Sequence, residues 1–230
     1  MKENKLVILG AGGVGKTSLV MQFVDGIFSF SYKPTVEDYY RHTLQLPNGL
    51  FQTMEILDTA GSHHFPAMRE LSIRSSRAFV LVFAVDNEQS FHEVVNMWAL
   101  VKKIKGDADI AVILVGNKVD LEANRQISSE SAVKFAKDEM RCSKYLETSA
   151  KYNVNVSQLF TELLMRALYG VDGKEEAISQ RATRRLSRRL SVLSLRRKHS
   201  EGSVDKEPRE PASDLQTYPI NQIQNKCVIL

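Results

Sequence analysis

Cysteine is scarce. Cys142 and Cys227 are the only two in 230 residues, and they lie in different regions of the chain. That excludes a disulfide framework and points to a reduced, cytosol-facing protein. Long apolar runs are missing too. None approaches the roughly 18 residues that a membrane-spanning helix needs, and the longest, Ala78 to Val85, has the length of a strand. The N-terminus has no apolar core of the signal-peptide kind, and Lys2 is expected to exclude N-myristoylation, which requires glycine at that position. Net charge is absent from most of the chain. Residues 1–169 hold 19 Lys/Arg and 19 Asp/Glu, so the whole formal +4 falls in residues 170–230, with 12 basic side chains, 8 acidic ones and a single aromatic, Tyr218. A segment this poor in aromatics buries too little apolar surface to offset the entropy of ordering it. The expected organisation is one folded domain over 1–169 and a tail over 170–230 that is disordered when unbound. No internal repeat is evident.

Within the first 169 residues, apolar runs at 5–9, 78–85 and 110–115 read as buried parallel strands. A short strand-like stretch precedes Glu147. Tyr39 to Leu46, the turn Pro47-Asn48-Gly49 and Leu50 to Leu57 read as a hairpin. Helical spacing appears near 16–25, 90–105, 128–140 and 156–168, with Ser90 and Ser128 as expected N-caps. The alternation predicts an α/β fold: a doubly wound, mostly parallel six-stranded sheet with flanking helices and one antiparallel edge. Ligand loops then gather at the carboxyl ends of the strands.

The first strand candidate, Lys5 to Leu9, runs into Gly10-Ala-Gly-Gly13-Val14-Gly15-Lys16-Thr17-Ser18, and helical spacing follows. This is the strand–loop–helix context of a phosphate-binding loop. Glycines let successive backbone N–H groups turn inward onto phosphate oxygens, and the helix adds its positive end. Gly10, Gly13, Val14, Gly15 and Ser18 are thus expected to line the phosphates. Lys16 reaches the β- and γ-phosphates and Thr17 ligates Mg²⁺. The bland alternative, a glycine-rich turn with a chance lysine, does not account for the flanking strand and helix.

Asn117-Lys118-Val119-Asp120 follows the apolar run ending at Val115. A carboxylate only accepts hydrogen bonds. Guanine presents a ring N–H and an exocyclic amine on one edge, and Asp120 can take both; adenine presents an acceptor at the matching position. Glu147-Thr148-Ser149-Ala150-Lys151 forms a second loop able to offer a backbone N–H to the guanine oxygen. Asn117, Lys118, Asp120, Ser149, Ala150 and Lys151 are therefore the expected base-binding set. Asn-Lys-x-Asp alone is more often a solvated turn; the phosphate loop upstream gives it meaning. Asp58-Thr59-Ala60-Gly61 follows another strand candidate. Asp58 would hold Mg²⁺ through water, and the Gly61 N–H would meet a γ-phosphate and release it after hydrolysis. Asp120 disfavours the reading as an ATPase or small-molecule kinase.

With these motifs in order, residues 4 to 169 resemble the Ras family of small GTPases. The resemblance implies a GTP/GDP-binding, Mg²⁺-dependent monomer with effectors that carry Ras-binding domains, an exchange factor and a GAP, and no nucleic-acid partner. It places the switch threonine on Thr35, a third Mg²⁺ ligand with GTP bound, and the guanine-flanking phenylalanine on Phe28, although a lone Phe is usually a core residue. Tyr32-Lys33-Pro34-Thr35-Val36-Glu37-Asp38-Tyr39-Tyr40 is similar to the Ras/Rap effector segment, in which partners pair with an exposed strand edge. Ser31 and Lys33 stand where Ras proper tends to carry acids, which weakens the case for a basic Raf-like domain as the main effector.

Family members usually carry a water-orienting glutamine after Asp-Thr-Ala-Gly; this chain has Ser62, then His63-His64-Phe65-Pro66-Ala67-Met68. That segment resembles the Di-Ras branch, and Phe-Pro-Ala-Met-x-x-Leu-Ser-Ile also resembles the dexamethasone-induced Ras relatives. Serine is too short to reach the same water and lacks an amide's paired donor and acceptor. Slow intrinsic hydrolysis follows, with Lys16, Thr35, Gly61 and Ser62 as the catalytic set. His63 or His64 could act as a base, or both could be solvated. The alternative function is a largely GTP-locked signalling adaptor or effector-sequestering module regulated by modification of its tail.

The tail segment 181–198 holds eight basic residues and no acid, with Ala182, Leu186, Leu190 and Leu193 on a helical stripe. It fits a solvated linker, a basic amphipathic segment for an anionic membrane surface, or a calmodulin target helix. Arg184-Arg-Leu-Ser187 and Arg188-Arg-Leu-Ser191 resemble basophilic kinase sites. Cys227-Val-Ile-Leu230 fits a prenylation box whose terminal Leu favours geranylgeranyl. Localisation at the cytoplasmic face of the plasma membrane is expected.

Overall fold

The computed structural model describes residues 4–46, 49–61, 66–106, 108, 110–140 and 144–170. The tail over 171–230 with its Cys227, as well as Ser62, His63, His64, Cys142 and the turn residues Pro47 and Asn48, lie outside the described residues.

Six strands form one sheet: β1 (Asn4–Gly10), β2 (Glu37–Gln45), β3 (Phe51–Thr59), β4 (Ala78–Ala84), β5 (Ala111–Asn117) and β6 (Lys144–Thr148). Their order is β2-β3-β1-β4-β5-β6. All pairings are parallel except β2 with β3, which are antiparallel. The helices are α1 (Lys16–Val24), α2 (Pro66–Ser75), α3 (Glu88–Lys105), α4 (Ser129–Asp138) and α5 (Val156–Tyr169).

The apolar runs are continuous because both faces of the central strands are covered. Leu6, Ile8, Val80, Val82, Ile113 and Val115 pack with α1 and α5 residues such as Leu19, Leu159 and Phe160. Their neighbours Val7, Leu9, Phe79, Leu81, Val112 and Leu114 pack on the other face with Ile73, Val94, Trp98 and Ala132 of α2, α3 and α4. By contrast, β2 is an edge strand, mostly exposed or half-buried along its length. Gly49 turns the hairpin at φ +78 and donates its N–H to Leu46 O at 2.8 Å.

Ser128 caps α4 as expected, accepting from the Ser131 N–H at 3.2 Å. Ser90 does not cap α3. Asn87, in extended backbone, accepts the Ser90 N–H at 3.0 Å and starts the helix at Glu88. Ser90 is instead buried, its hydroxyl accepting from Ala84 N at 3.0 Å and donating to Asn87 O at 2.6 Å. Two further elements had no expectation in the sequence. One is α2, an exposed helix with Pro66 as its first residue, where a missing N–H costs nothing. The other is a 3-10 stretch, Val119–Asn124, directly after β5.

Candidate nucleotide site

The carboxyl ends of β1, β3, β5 and β6 carry the phosphate loop, Asp58 to Gly61, Asn117 to Asp120 and the loop from Glu147, while Thr35 enters from the segment before β2. Gly13 and Gly15 hold φ of +73 and +96, values that L side chains adopt with strain. Gly15 is the N-cap of α1, no side chain caps this end, and the first turn holds no acid. The positive end of α1 and its unpaired N–H groups therefore face the loop. Lys16 is buried and folds back across the loop to donate to Gly10 O at 2.9 Å and Ala11 O at 2.8 Å. Burial pulls its amine down to about 8, opposed by the Asp58 charge and reinforced by Arg69. A compact cation in a ring of backbone dipoles is a site for a polyanion.

Three oxygens meet beside it. Thr17 Oγ1 donates to Asp58 Oδ2 at 2.5 Å and lies 2.7 Å from Thr35 Oγ1. Thr17 has one hydroxyl proton and gives it to Asp58, so Thr35 is the donor in the second contact. The other Asp58 oxygen, Oδ1, is buried with no hydrogen-bond partner. Burial raises the Asp58 carboxyl to about 6, against the Thr17 hydrogen bond and the Lys16 charge. Two hydroxyls and an under-satisfied carboxylate are hard oxygen donors, suited to a small divalent cation. Among the described residues no group of three or more His, Cys, Asp or Glu could hold a metal. A cation here would need phosphate or water as its remaining ligands.

The segments before β2 and after β3 close over the phosphate loop. Ala60 N donates to Val36 O at 3.1 Å. A Cβ added to Gly61 would fall 2.3 Å from Gly12 Cα, so only glycine lets these two backbones meet. Tyr32 reaches back until its hydroxyl is 3.9 Å from where a Gly12 Cβ would stand.

Asn117 ties this end to the next. Its buried amide donates to Val14 O at 2.8 Å, and its carbonyl accepts from Thr148 Oγ1 at 3.0 Å and Ala150 N at 3.3 Å. Parallel pairing of Asn117 with Thr148 in the β5–β6 register sets up these bonds. Ser149 Oγ donates to Asp120 Oδ1 at 2.6 Å. Lys118 is held at φ +66, an uncommon conformation for a side-chain-bearing residue, with Nζ 3.9 Å from Asp86 Oδ1. Phe28 packs on the core and meets Phe30 edge-on at 5.2 Å; Lys151 Nζ lies 5.8 Å above the Phe30 ring and 4.9 Å above that of Tyr152. Phe28 is thus a core contact that also stands, through Phe30, beside the Lys151 loop.

The structure therefore gathers Lys16, Thr17, Thr35 and Asp58 around the phosphate loop, and ties that loop through Asn117 to Thr148 and Ala150, beside the Ser149–Asp120 pair. Ser18 follows Thr17 in the first turn of α1. In the effector segment, Tyr32, Pro34, Val36, Asp38 and Tyr39 are exposed, while Glu37 and Tyr40 are partly covered. Glu37 accepts from Ser72 Oγ of α2 at 3.1 Å, a link that sequence reading missed because it had no helix there.

The family model described as the Ras family matches residues 5–169. The chain is 45% identical over 188 residues to the GTP-binding protein Di-Ras1 of Mus musculus, spanning 79% of this chain and 93% of that protein. It is 46% identical over 163 residues to the GTP-binding protein Di-Ras2 of Mus musculus, spanning 70% and 80%. Over 164 residues it is 45% identical to the GTP-binding protein drn-1 of Caenorhabditis elegans, spanning 70% and 74%.

Proposed function

Since the chain belongs to the Ras family of small GTPases, on its Di-Ras branch, we propose that it is a Mg²⁺-dependent switch with slow intrinsic hydrolysis, held by its tail on the cytoplasmic face of the plasma membrane. The family binds GTP and GDP, hydrolyses GTP, and works through effectors, exchange factors and GAPs.

The observation that carries the reading is the meeting of Thr17, Thr35 and Asp58 beside Lys16, with a buried carboxylate oxygen left unpartnered. These three residues would hold Mg²⁺, which when bound neutralises charge between the β- and γ-phosphates. Lys16 exchanges its two backbone carbonyls for phosphate oxygens. Thr35 reaches the site only from the segment that also carries the effector residues, so occupancy of the γ-position decides whether that segment is held. The Gly61 N–H, pressed against the phosphate loop, supplies the second tether. Asp120 accepts the two guanine donors, while Asn117 and Ala150 set the spacing between base and phosphates.

Effectors would add to the edge strand β2, where Tyr39 stands exposed and the exposed Val36 just before it lines one hollow with Met68 of α2. Prenylation at Cys227 would give reversible membrane attachment on its own. The basic segment 181–198 supplies the second, electrostatic contact, and calmodulin is a competing ligand for the same segment. The domain acts as a monomer.

Release of GDP from the full-length protein tests the metal part. Chelating Mg²⁺ should speed release by about tenfold or more, since an ion bound only to the nucleotide complex stabilises it by RT ln(1 + [Mg²⁺]/Kd), a factor of about ten once the ion is at about ten times its Kd. Asp58→Asn should release GDP at the fast rate whether or not Mg²⁺ is present. A wild-type rate indifferent to chelation would contradict the reading.

A further inference from the structure

A polar cluster joins the first residue of the second base loop, Glu147, to Arg125, which no motif announced. Arg125 sits just after the 3-10 stretch that begins with Val119 and Asp120. It forks onto Glu147 of β6, Nη1 to Oε1 at 2.9 Å and Nη2 to Oε2 at 3.1 Å. Its Nε donates to both oxygens of Glu122 at 2.8 Å, and Nη1 also donates to Ile127 O at 3.1 Å. Glu147 Oε1 accepts in addition from Ser129 Oγ at 2.5 Å and from the Tyr145 hydroxyl at 2.7 Å. The side chains of Arg125 and Glu147 are only 16% and 28% exposed. Burial pushes the Glu147 carboxyl up, but its hydrogen bonds from Arg125, Ser129 and Tyr145 hold it below the usual range.

The cluster spans both base loops. Asp120 is at the head of the stretch that Arg125 ends. Glu147 is two residues before Ser149, whose hydroxyl holds Asp120, and Asn155 Nδ2 fixes the Glu147 carbonyl at 2.8 Å. Tyr145 gets to Glu147 by crossing Gly116: a Cβ there would lie 2.5 Å from the Tyr145 hydroxyl. Gly116 directly precedes Asn117. Val85 O anchors the chain just beyond Arg125 through Gln126 N and Ile127 N at 2.8 and 3.2 Å. The Asp120 segment is then held toward the β6 end at two places, by Ser149 Oγ at Asp120 itself and by the Arg125 fork at the far end of the stretch.

We propose that Arg125, Glu147 and Tyr145 are positioning residues for guanine, clamping the loop that carries Asp120 to the strand that carries Ser149 and Ala150, and thereby setting how slowly guanine nucleotides leave. The inference rests on the base-recognition reading above.

The test compares release of GDP and IDP, labelled on the ribose, from the full-length protein. Inosine lacks the exocyclic amine, so a misplaced Asp120 costs GDP two contacts and IDP one. Arg125→Met should speed GDP release about tenfold, the effect of removing a bidentate charge-assisted pair, and IDP release only about threefold. Arg125→Lys, a point charge without the fork, should recover part of the difference. Arg125→Met with Glu147→Met should be no worse than Arg125→Met alone, because the two act as a unit. Tyr145→Phe removes one oxygen and should narrow the GDP/IDP ratio even if the Arg125 variants fold poorly. Acceleration of GDP and IDP by the same factor, or GDP release within about twofold of wild type, would overturn the proposal and leave the cluster a general brace. Asp120→Asn separates the two readings. If that variant keeps the preference for GDP over IDP, base recognition itself has failed. If it loses the preference while Arg125→Met is silent, only the positioning role has.

Discussion

Asp120→Asn should weaken GDP binding by about 100- to 1000-fold and invert the preference between guanine and xanthine nucleotides. An ionised carboxylate accepts from both the ring N–H and the exocyclic amine, and hydrogen bonds to a charged group are each worth roughly 1.5–3 kcal/mol. The amide that replaces it offers one acceptor and one donor. Its NH₂ then faces the guanine amine, donor against donor, which leaves a polar group unpaired, the costlier half of the exchange. Xanthine has a carbonyl where guanine has the amine, so the same NH₂ finds an acceptor. Ser149 Oγ, which donates to Asp120 Oδ1 at 2.6 Å, can donate to the amide oxygen and hold it in the productive orientation. Equilibrium binding of labelled GDP and XDP checks this, and equal weakening toward both would contradict it.

Gly15→Ala should destabilise the protein by about 3 kcal/mol and abolish tight nucleotide binding. Two costs combine. At φ +96 an L side chain meets its own backbone, at about 1–2 kcal/mol. The new methyl would also stand 2.4 Å from Asn117 Nδ2. That amide cannot move without giving up Val14 O, its 2.8 Å partner, and a buried acceptor left unmade costs about 1–3 kcal/mol. Asn117 also holds Thr148 and Ala150, so the base end loses its tie to the phosphate end. The neighbouring glycines give an internal scale. At Gly13 a Cβ meets nothing within 4 Å, so Ala there bears only the cost of φ +73. At Gly12 the nearest atoms are 3.9 and 4.0 Å away, an ordinary contact. Chemical unfolding should therefore rank Gly15→Ala as the most damaging, Gly13→Ala next and Gly12→Ala nearly neutral. A different order would mean that the Asn117 contact does not govern this loop.

Much of this was legible in the sequence because the relevant physics is local. Val7 and Leu9 face one core and Leu6 and Ile8 the other, which is why a parallel strand reads as an unbroken apolar run. The phosphate loop and the Asn-Lys-x-Asp turn are contiguous, so their chemistry follows from adjacent residue types. Thr35 and Phe28 had no such local signal and came only from resemblance to a family. Ser90 misled because a serine at the head of an apolar pattern looks like a cap, while Asn87 three residues earlier fulfils that role. The helix α2 escaped because it is mostly exposed and lacks a strong apolar face. Arg125 and Glu147 are 22 residues apart, and no spacing rule links a loop residue to a strand residue across the helix α4 between them. Only the fold places them together.

Ser62 is the centre of the proposed function, in which it would set how fast the switch resets itself. The direct measurement is single-turnover GTP hydrolysis by the purified full-length protein at saturating Mg²⁺, beside Ser62→Gln. The account predicts a parent no faster than unaided Ras, on the order of 10⁻⁴ s⁻¹, and a clearly faster variant, because the longer amide can both donate to and accept from the attacking water. A protein with that behaviour rests in its GTP state and depends on a GAP, or on its tail, to be silenced. A parent as fast as its glutamine variant would contradict the account and make the protein a self-resetting switch whose water is oriented by another group.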